Sequence, residues 1–278
     1  MTDAPWSGSP WADDLALALA LADVADALTL ERFGSLDLRV ETKPDLTPVS
    51  DADQATEVRL RAELADVRPG DAVMGEEYGV SGESDRHWVL DPIDGTKNYV
   101  RGVPVWATLI ALTVNAPSQR SEDVVVGVVS APALGRRWWA ARGGGAWLDA
   151  GDGARPITVS GVTELGDASV SFSEWNDPAW EVGGRRRAVD QLLRRAWRSR
   201  AYGDFWSHMM VAEGSVDVAV EPQLSGWDMA ALIPVVEEAG GAITSLDGRS
   251  PMVGGNAVSS NGRLHRGLLQ HFGESSNA

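Results

Sequence analysis

Asp91-Pro92-Ile93-Asp94-Gly95-Thr96 is the stretch on which the reading of this chain turns. The residues before it, His87-Trp88-Val89-Leu90, form a short apolar run that predicts a strand ending on Asp91. Two carboxylates three residues apart at a strand end converge on one point if the chain turns there. Pro92 limits the backbone and Gly95 permits a tight turn. Carboxylates and a backbone carbonyl are the oxygen ligands that a hard cation such as Mg²⁺ takes. If Thr96-Lys97 opens a helix, its free N–H groups form a phosphate site within one turn of those ligands. Taken alone, Asp-x-x-Asp-Gly is more often a polar turn.

Three further acidic features lie around it. Gly75-Glu76-Glu77 sits in a loop upstream, where a carboxylate can reach the same point. Ser50 reads as a helix N-cap with Asp53 three residues on, in the first turn of a helix running to about Val67. Trp227-Asp228 opens a helix late in the chain. Each has a plainer reading. The Glu76-Glu77 pair can be solvated surface, Asp53 can be only the capping-box acid of Ser50, and Asp228 can simply favour the positive end of its helix.

The bulk properties narrow the chemistry. The chain has 278 residues and is 44% hydrophobic, enough for a sizeable core and against disorder. It has no Cys, so disulfides, thiol catalysis and Cys-ligated metal are excluded. The net charge of −16 repels nucleic acid and anionic lipid. An anionic substrate therefore needs a local positive offset, which bound divalent cations supply. The acidic start, Met1 to Asp14, does not read as a signal peptide. The apolar stretch from Leu15 to Leu30 contains Asp23 and Asp26 and reads as an amphipathic helix, not a membrane span. A cytoplasmic protein is expected.

Along the chain, a first helix is expected from Ser9-Pro10 to about Phe33, and strands over 105–114 and 124–131. Arg136 to Leu148 reads as a hairpin. The second half alternates: a strand over 169–173, helices over 187–197 and 204–214, a strand over 216–221, a helix after Asp228, and strands near 242–246 and 256–259. Pro234 should kink or break the helix it lies in. Mixed strands and helices in both halves predict an α/β or α+β layered fold. A boundary between two packed lobes, about 1–155 and 156–278, is expected near Gly151 to Gly161. The stretch from Arg185 to Arg200 holds seven Arg in sixteen residues. On so acidic a chain it reads as a solvated helix face or a subunit contact, not a nucleic-acid site.

Together, DPIDGT at 91–96, GEE at 75–77, the Asp-x-x-x-Glu of Asp53 and Glu57, and WD at 227–228 followed by EEAGG at 237–241 resemble the inositol monophosphatase family over nearly the whole chain. The resemblance implies a layered αβαβα sandwich and a Mg²⁺-dependent phosphomonoesterase with two or three Mg²⁺ ions, working as a homodimer on a small phosphate ester. It implies that Glu76, Asp91, the Ile93 carbonyl, Asp94 and Asp228 hold the metals, with Asp91 bridging. Thr96 paired with Asp53 would orient and activate the attacking water, and the N–H groups of Gly95 and Thr96 would bind phosphate oxygens. Two divalent cations about 4 Å apart can stabilise both attacking and leaving oxygens.

Lys97-Asn98, Trp138-Trp139 and Tyr202-Gly203-Asp204 resemble the histidinol-phosphate phosphatase branch of that family. The branch implies hydrolysis of L-histidinol phosphate, with Asp204 and Glu221 answering its ammonium and imidazole and Phe205-Trp206 available to stack on the ring. Asp204 can equally be a helix cap. The alternatives are an inositol-1-phosphatase or other sugar-phosphate phosphatase of the same fold, or a non-catalytic relative that binds metal or phosphate.

Overall fold

Alternating side chains on long strands point to opposite faces of a sheet, and here both faces are apolar. The computed structural model describes residues 6–44, 47–115 and 122–275. The first five residues, part of the acidic start read above, lie outside the described residues. An eight-stranded sheet runs in the order Arg155–Pro156, Ala146–Asp149, Arg136–Ala141, Glu122–Ala131, Ala107–Asn115, Arg86–Asp94, Ala72–Gly75, Gly79–Ser81. Every pairing is antiparallel except that of Ala72–Gly75 with Arg86–Asp94. Trp88, Leu90, Ile110, Leu112 and Val128 face helices Ala12–Arg32 and Asp51–Val67, meeting Leu15, Ala18, Leu60 and Leu64. Val89, Leu109, Ala111 and Val129 face the other way, onto Phe205 and Met209 of helix Asp204–Ala212 and Leu232 and Val235 of helix Leu232–Glu238.

A second sheet of five strands runs Arg198–Arg200, Ser169–Phe172, Val218–Glu221, Ala257–Ser260, Ala242–Thr244. The first three are parallel, and the last two join antiparallel. Its inner face, through Ala219, meets Met210 and Val211 of helix Asp204–Ala212. Its outer face, through Val170, Val218 and Val258, is covered by Ala188, Val189 and Leu192 of helix Arg185–Arg195 and by Leu268 and Phe272 of helix His265–Ser275. The layers thus run helix, sheet, helix, sheet, helix, which is the expected αβαβα sandwich. Among the described residues no helix is long and apolar enough to cross a membrane.

Several elements differ from expectation. The first helix opens at Ala12, two residues after Pro10. The strand expected over 87–90 extends to Asp94. The late helix opens at Gly226, which puts Asp228 at its third position. That helix is broken, as Pro234 predicts, into Gly226–Ala230 and Leu232–Glu238. Pro234 has no N–H for the Ala230 carbonyl, and its ring crowds that group. The break brings the Ala231 carbonyl down on Gly127 of the first sheet. A Cβ at Gly127 would overlap that oxygen and lie 2.6 Å from the Pro234 ring. The Arg-rich stretch behaves as a solvated face: Arg186 pairs with Glu181, and Arg194 with Asp190 at 2.8 Å, while Ala188, Val189 and Leu192 are buried.

Candidate active site

In a regular strand Asp91 and Asp94 would point to opposite faces. The register of Arg86–Asp94 against Ala107–Asn115 shifts between those two residues, and such an irregularity re-aims side chains. Both carboxylates consequently meet on one side. The Asp91 Oδ1 accepts the Ile93 N–H at 3.0 Å, which fixes its rotamer. Gly95 takes a left-handed conformation (φ 85°) and caps the short helix Thr96–Val100, so the Thr96 N–H stands at a helix start without an intrahelical acceptor.

Asp228 arrives from the central helical layer. Its Oδ2 accepts the Ser225 N–H at 2.7 Å, as the N3 acid of a capping box does. Oxygens of Asp91, Asp94 and Asp228 lie within 4.8 Å of one another. Burial, then the charges of Glu76, Asp94 and Asp228, push Asp91 well above the usual carboxylate range. Burial, then Asp204 and Asp228, do the same to Asp94. Burial takes Asp228 up to about 7. Three clustered acids with only oxygen donors form a nest that a hard divalent cation fits.

Glu76, the fourth expected side-chain ligand, lies against Asp91 and raises its pKa. Its Oε1 accepts from the Lys43 ammonium at 2.7 Å, and Glu77 Oε1 accepts from the same ammonium at 2.6 Å. Burial works against the charge on Lys43, but the hydrogen bonds to Glu76 and Glu77 outweigh it and raise its pKa. Burial takes Glu77 up to about 7. A positive group already stands among these acids, a further sign that the pocket attracts cations.

Asp53 both caps its helix and lies beside Thr96. Its Oδ2 accepts the Ser50 N–H at 2.9 Å and the Ser50 hydroxyl at 2.5 Å, completing the cap. Its Oδ1 lies 3.3 Å from Thr96 Oγ1, the expected pair. The Thr96 hydroxyl also stands 3.0 Å from the Ile93 carbonyl oxygen, the one expected to face a metal. Asp53 is fully buried; burial, with the Glu76 charge adding, lifts it to about 6.

A cavity of about 590 Å³ joins these groups to the second sheet. Glu76, Asp94, Gly95, Thr96 and Asp228 line it, together with Phe172, Trp175, Tyr202, Asp204 and Glu221. Asp204 does not cap its helix. Gly203 holds that position, and Asp204 takes a positive φ (50°), the one such non-Gly residue described. Its Oδ2 accepts from Asn98 Nδ2 at 3.1 Å. The next N–H, of Phe205, donates to Asp94 Oδ2 at 2.8 Å, tying this helix to the acidic nest. Glu221 is 3% exposed, its Oε1 has no partner among the described residues, and burial raises its pKa strongly.

The aromatics differ from expectation. Phe205 is packed in the core beside Trp138, and Trp206 packs on Tyr202. Trp138 and Trp139 point to opposite faces of the first sheet and fill its two cores. Phe172, Trp175, Tyr202 and Trp227 line the cavity more openly. Lys43 and His208 went unmarked in the sequence. His208 lines the same cavity, its Nδ1 2.5 Å from Ser259 Oγ and its Nε2 without a partner among the described residues. Burial lowers its pKa to about 4, so it is neutral at pH 7. A single His on an apolar helix gives no signal of this; only its place one turn after Asp204 hints at it.

Residues 11–277 match the model of the inositol monophosphatase family. The chain belongs to that family. It is 56% identical over 263 residues to a histidinol-phosphatase of Streptomyces coelicolor, covering 94% of this chain and 97% of that one. It is 59% identical over 262 residues to a histidinol-phosphatase of Mycobacterium tuberculosis, covering 92% and 96%. Among solved structures, an IMPase of Thermotoga maritima is similar at 28% identity with a TM-score of 0.81, covering 95% of this chain and 98% of its own. The family's fold and the sandwich described above are therefore the same.

Proposed function

We propose that the chain is a Mg²⁺-dependent phosphomonoesterase that hydrolyses L-histidinol phosphate to L-histidinol and phosphate. The observation that carries the substrate is the buried Glu221 oxygen, without a partner among the described residues, in the cavity that also holds the acidic nest. Leaving a carboxylate oxygen dry and unpaired is costly. An alcohol bearing an ammonium and an imidazole supplies both the missing donor and an opposite charge; a neutral polyol supplies a hydroxyl donor but no charge. The two relatives at 56% and 59% identity, both histidinol-phosphatases, support the same choice.

Asp91, Asp94, Asp228 and Glu76, with the Ile93 carbonyl, would hold the cations. Bound Mg²⁺ would supply Lewis acidity toward the phosphoryl oxygens and lower the pKa of water. The chain's own groups do the rest. The N–H groups of Gly95 and Thr96 hold phosphate oxygens. Thr96 Oγ1 orients the water that attacks phosphorus, and Asp53 Oδ1 accepts a proton through it. A base lifted to about 6 suits transfer near neutral pH. The P–O bond to the alcohol breaks, and the alcohol oxygen takes up a proton from solvent water. Asp204 and Glu221 hold the cationic end.

The test is turnover of histidinol phosphate, inositol-1-phosphate, fructose-1,6-bisphosphate and glycerol 2-phosphate, each with Mg²⁺ and with EDTA. Histidinol phosphate should have the highest kcat/KM, and EDTA should abolish turnover of every ester. Glu221→Gln and Asp204→Asn should each cost roughly ten- to a hundredfold in kcat/KM for histidinol phosphate, the worth of one charge-assisted hydrogen bond, and little for glycerol 2-phosphate. A wild-type preference for inositol-1-phosphate would overturn the substrate while leaving the phosphatase. We extend the reading to a homodimer on the family resemblance alone; light scattering of the purified chain measures the mass.

A further inference from the structure

Helix Asp51–Val67 presents Asp53, Glu57 and Arg61 at intervals of four, one above another on a single face. Asp53 serves Thr96. Glu57 is fully buried and touches no expected ligand. Its Oε2 accepts the Glu77 N–H at 2.7 Å, and its Oε1 accepts the Tyr78 N–H at 3.2 Å. Arg61 Nε closes the arrangement, 2.7 Å from the same Oε1. The rest of the Arg61 guanidinium reaches the Gly79 carbonyl at 2.5 Å and Ser81 Oγ at 2.8 Å. The turn carrying Glu76 is thus gripped from below by two side chains of one helix. On its other flank the Glu76 N–H donates to the Leu90 carbonyl at 3.1 Å, next to Asp91.

Gly75 shows how closely this grip is built. A Cβ placed there would overlap the Glu57 carboxylate. The backbone before Glu76 lies directly on Glu57, with no side chain between them. Charge-assisted hydrogen bonds to a carboxylate are short and strong, and here two of them end on the N–H groups that follow Glu76.

We propose that Glu57 is a positioning residue: it fixes the turn Gly75–Tyr78 so that the Glu76 carboxylate is delivered to the acidic nest, and it thereby sets the affinity of that site for a divalent cation. The inference rests on the reading of Glu76 as a ligand. Because Asp53 and Glu57 are successive turns of one helix, the residue that serves Thr96 and the residue that places Glu76 keep a fixed spacing. Removing an outer-shell partner of a metal ligand typically costs 10–100-fold in metal affinity.

The test is Mn²⁺ binding to metal-stripped protein, followed by electron paramagnetic resonance of the free ion, together with thermal melting and steady-state kinetics over a range of Mg²⁺. Glu57→Gln should raise the Mn²⁺ dissociation constant roughly 10–100-fold. The Mg²⁺ concentration for half-maximal turnover should rise in parallel, while KM for the ester at saturating Mg²⁺ stays within about twofold of wild type. Gly75→Ala, which pushes on the same carboxylate from the loop, should act in the same direction and serves if Glu57→Gln does not fold. A lowered melting temperature with unchanged Mn²⁺ affinity would reduce Glu57 to a brace and overturn the inference. Glu76→Gln separates the two levels. If it weakens Mn²⁺ binding and the Glu57 and Gly75 variants do not, only the positioning role fails. If it leaves Mn²⁺ binding unchanged, the ligand reading falls and takes the inference with it.

Discussion

Ser50-x-x-Asp53 and Ser225-x-x-Asp228 open two helices in different halves of the chain, and in both the acid at the third position accepts the N–H of the serine. The local device is the same; the surroundings are not. Asp53 is fully buried, and the oxygen it does not spend on its cap faces a hydroxyl, that of Thr96. Asp228 is partly open to the cavity and faces two more carboxylates. The first arrangement can take a proton; the second can hold a cation. A capping acid is already fixed in rotamer by its own helix, so it makes a rigid mount for whichever chemistry its neighbours supply.

The comparison is broken most severely by removing charge from the second box. Asp228→Asn keeps an acceptor for the Ser225 N–H but removes one of three clustered charges. It should lower kcat roughly 10³-fold or more, because cation stabilisation of the transferring phosphoryl group contributes several kcal/mol, and it should weaken Mn²⁺ binding. Activity near wild type would remove Asp228 from the cation site. The matching change in the first box, Asp53→Asn, should lower kcat about 10²-fold, the scale of a positioned proton acceptor, with Mn²⁺ affinity kept. Thr96→Ala should behave alike. A change confined to KM would make that pair a substrate contact.

Proton linkage sharpens the contrast. Asp53 at about 6 and Asp228 at about 7 both lie above their ordinary value of 3.8. The folded, metal-free chain therefore holds protons between about pH 4 and 7 that the unfolded chain has released, and its stability falls as pH rises through that window. Cations take over what the protons did. Mg²⁺ should accordingly raise the melting temperature more at pH 8 than at pH 5, and Asp228→Asn should shrink that difference more than Asp53→Asn does. Equal Mg²⁺ stabilisation at both pH values would mean that the raised carboxylates do not face the ion. The smallest effect belongs to the cap itself: Ser50→Ala should cost about 1 kcal/mol in denaturant unfolding and reduce kcat less than Asp53→Asn, since Asp53 keeps the Ser50 N–H.

What the sequence disclosed follows the same division. Both capped acids and the Asp-Pro-Ile-Asp-Gly-Thr turn were legible because their residues are neighbours in the chain and the spacing itself carries the geometry. The layering was legible from apolar strands alternating with helices. The register shift that turns Asp91 and Asp94 to one side was not, since it arises from pairing with Ala107–Asn115. Nor were Lys43, the grip of Glu57 or the free nitrogen of His208, each defined by a partner distant in sequence. Trp138 and Trp139 show the converse: adjacent aromatics that suggest a binding surface are divided by the pleat into two cores.

Gly127 and the broken helix above it bear on how the chain is made. The strand with its bare notch leaves the ribosome well before Ala231 and Pro234, which fill it. Until they arrive, Leu109, Ala111 and Val129 lack the cover that Leu232 and Val235 give beside Phe205 and Met209. A nascent chain halted short of residue 226 would display an apolar surface and two carboxylates awaiting a third. A chain cut short there is expected to be inactive and prone to aggregate.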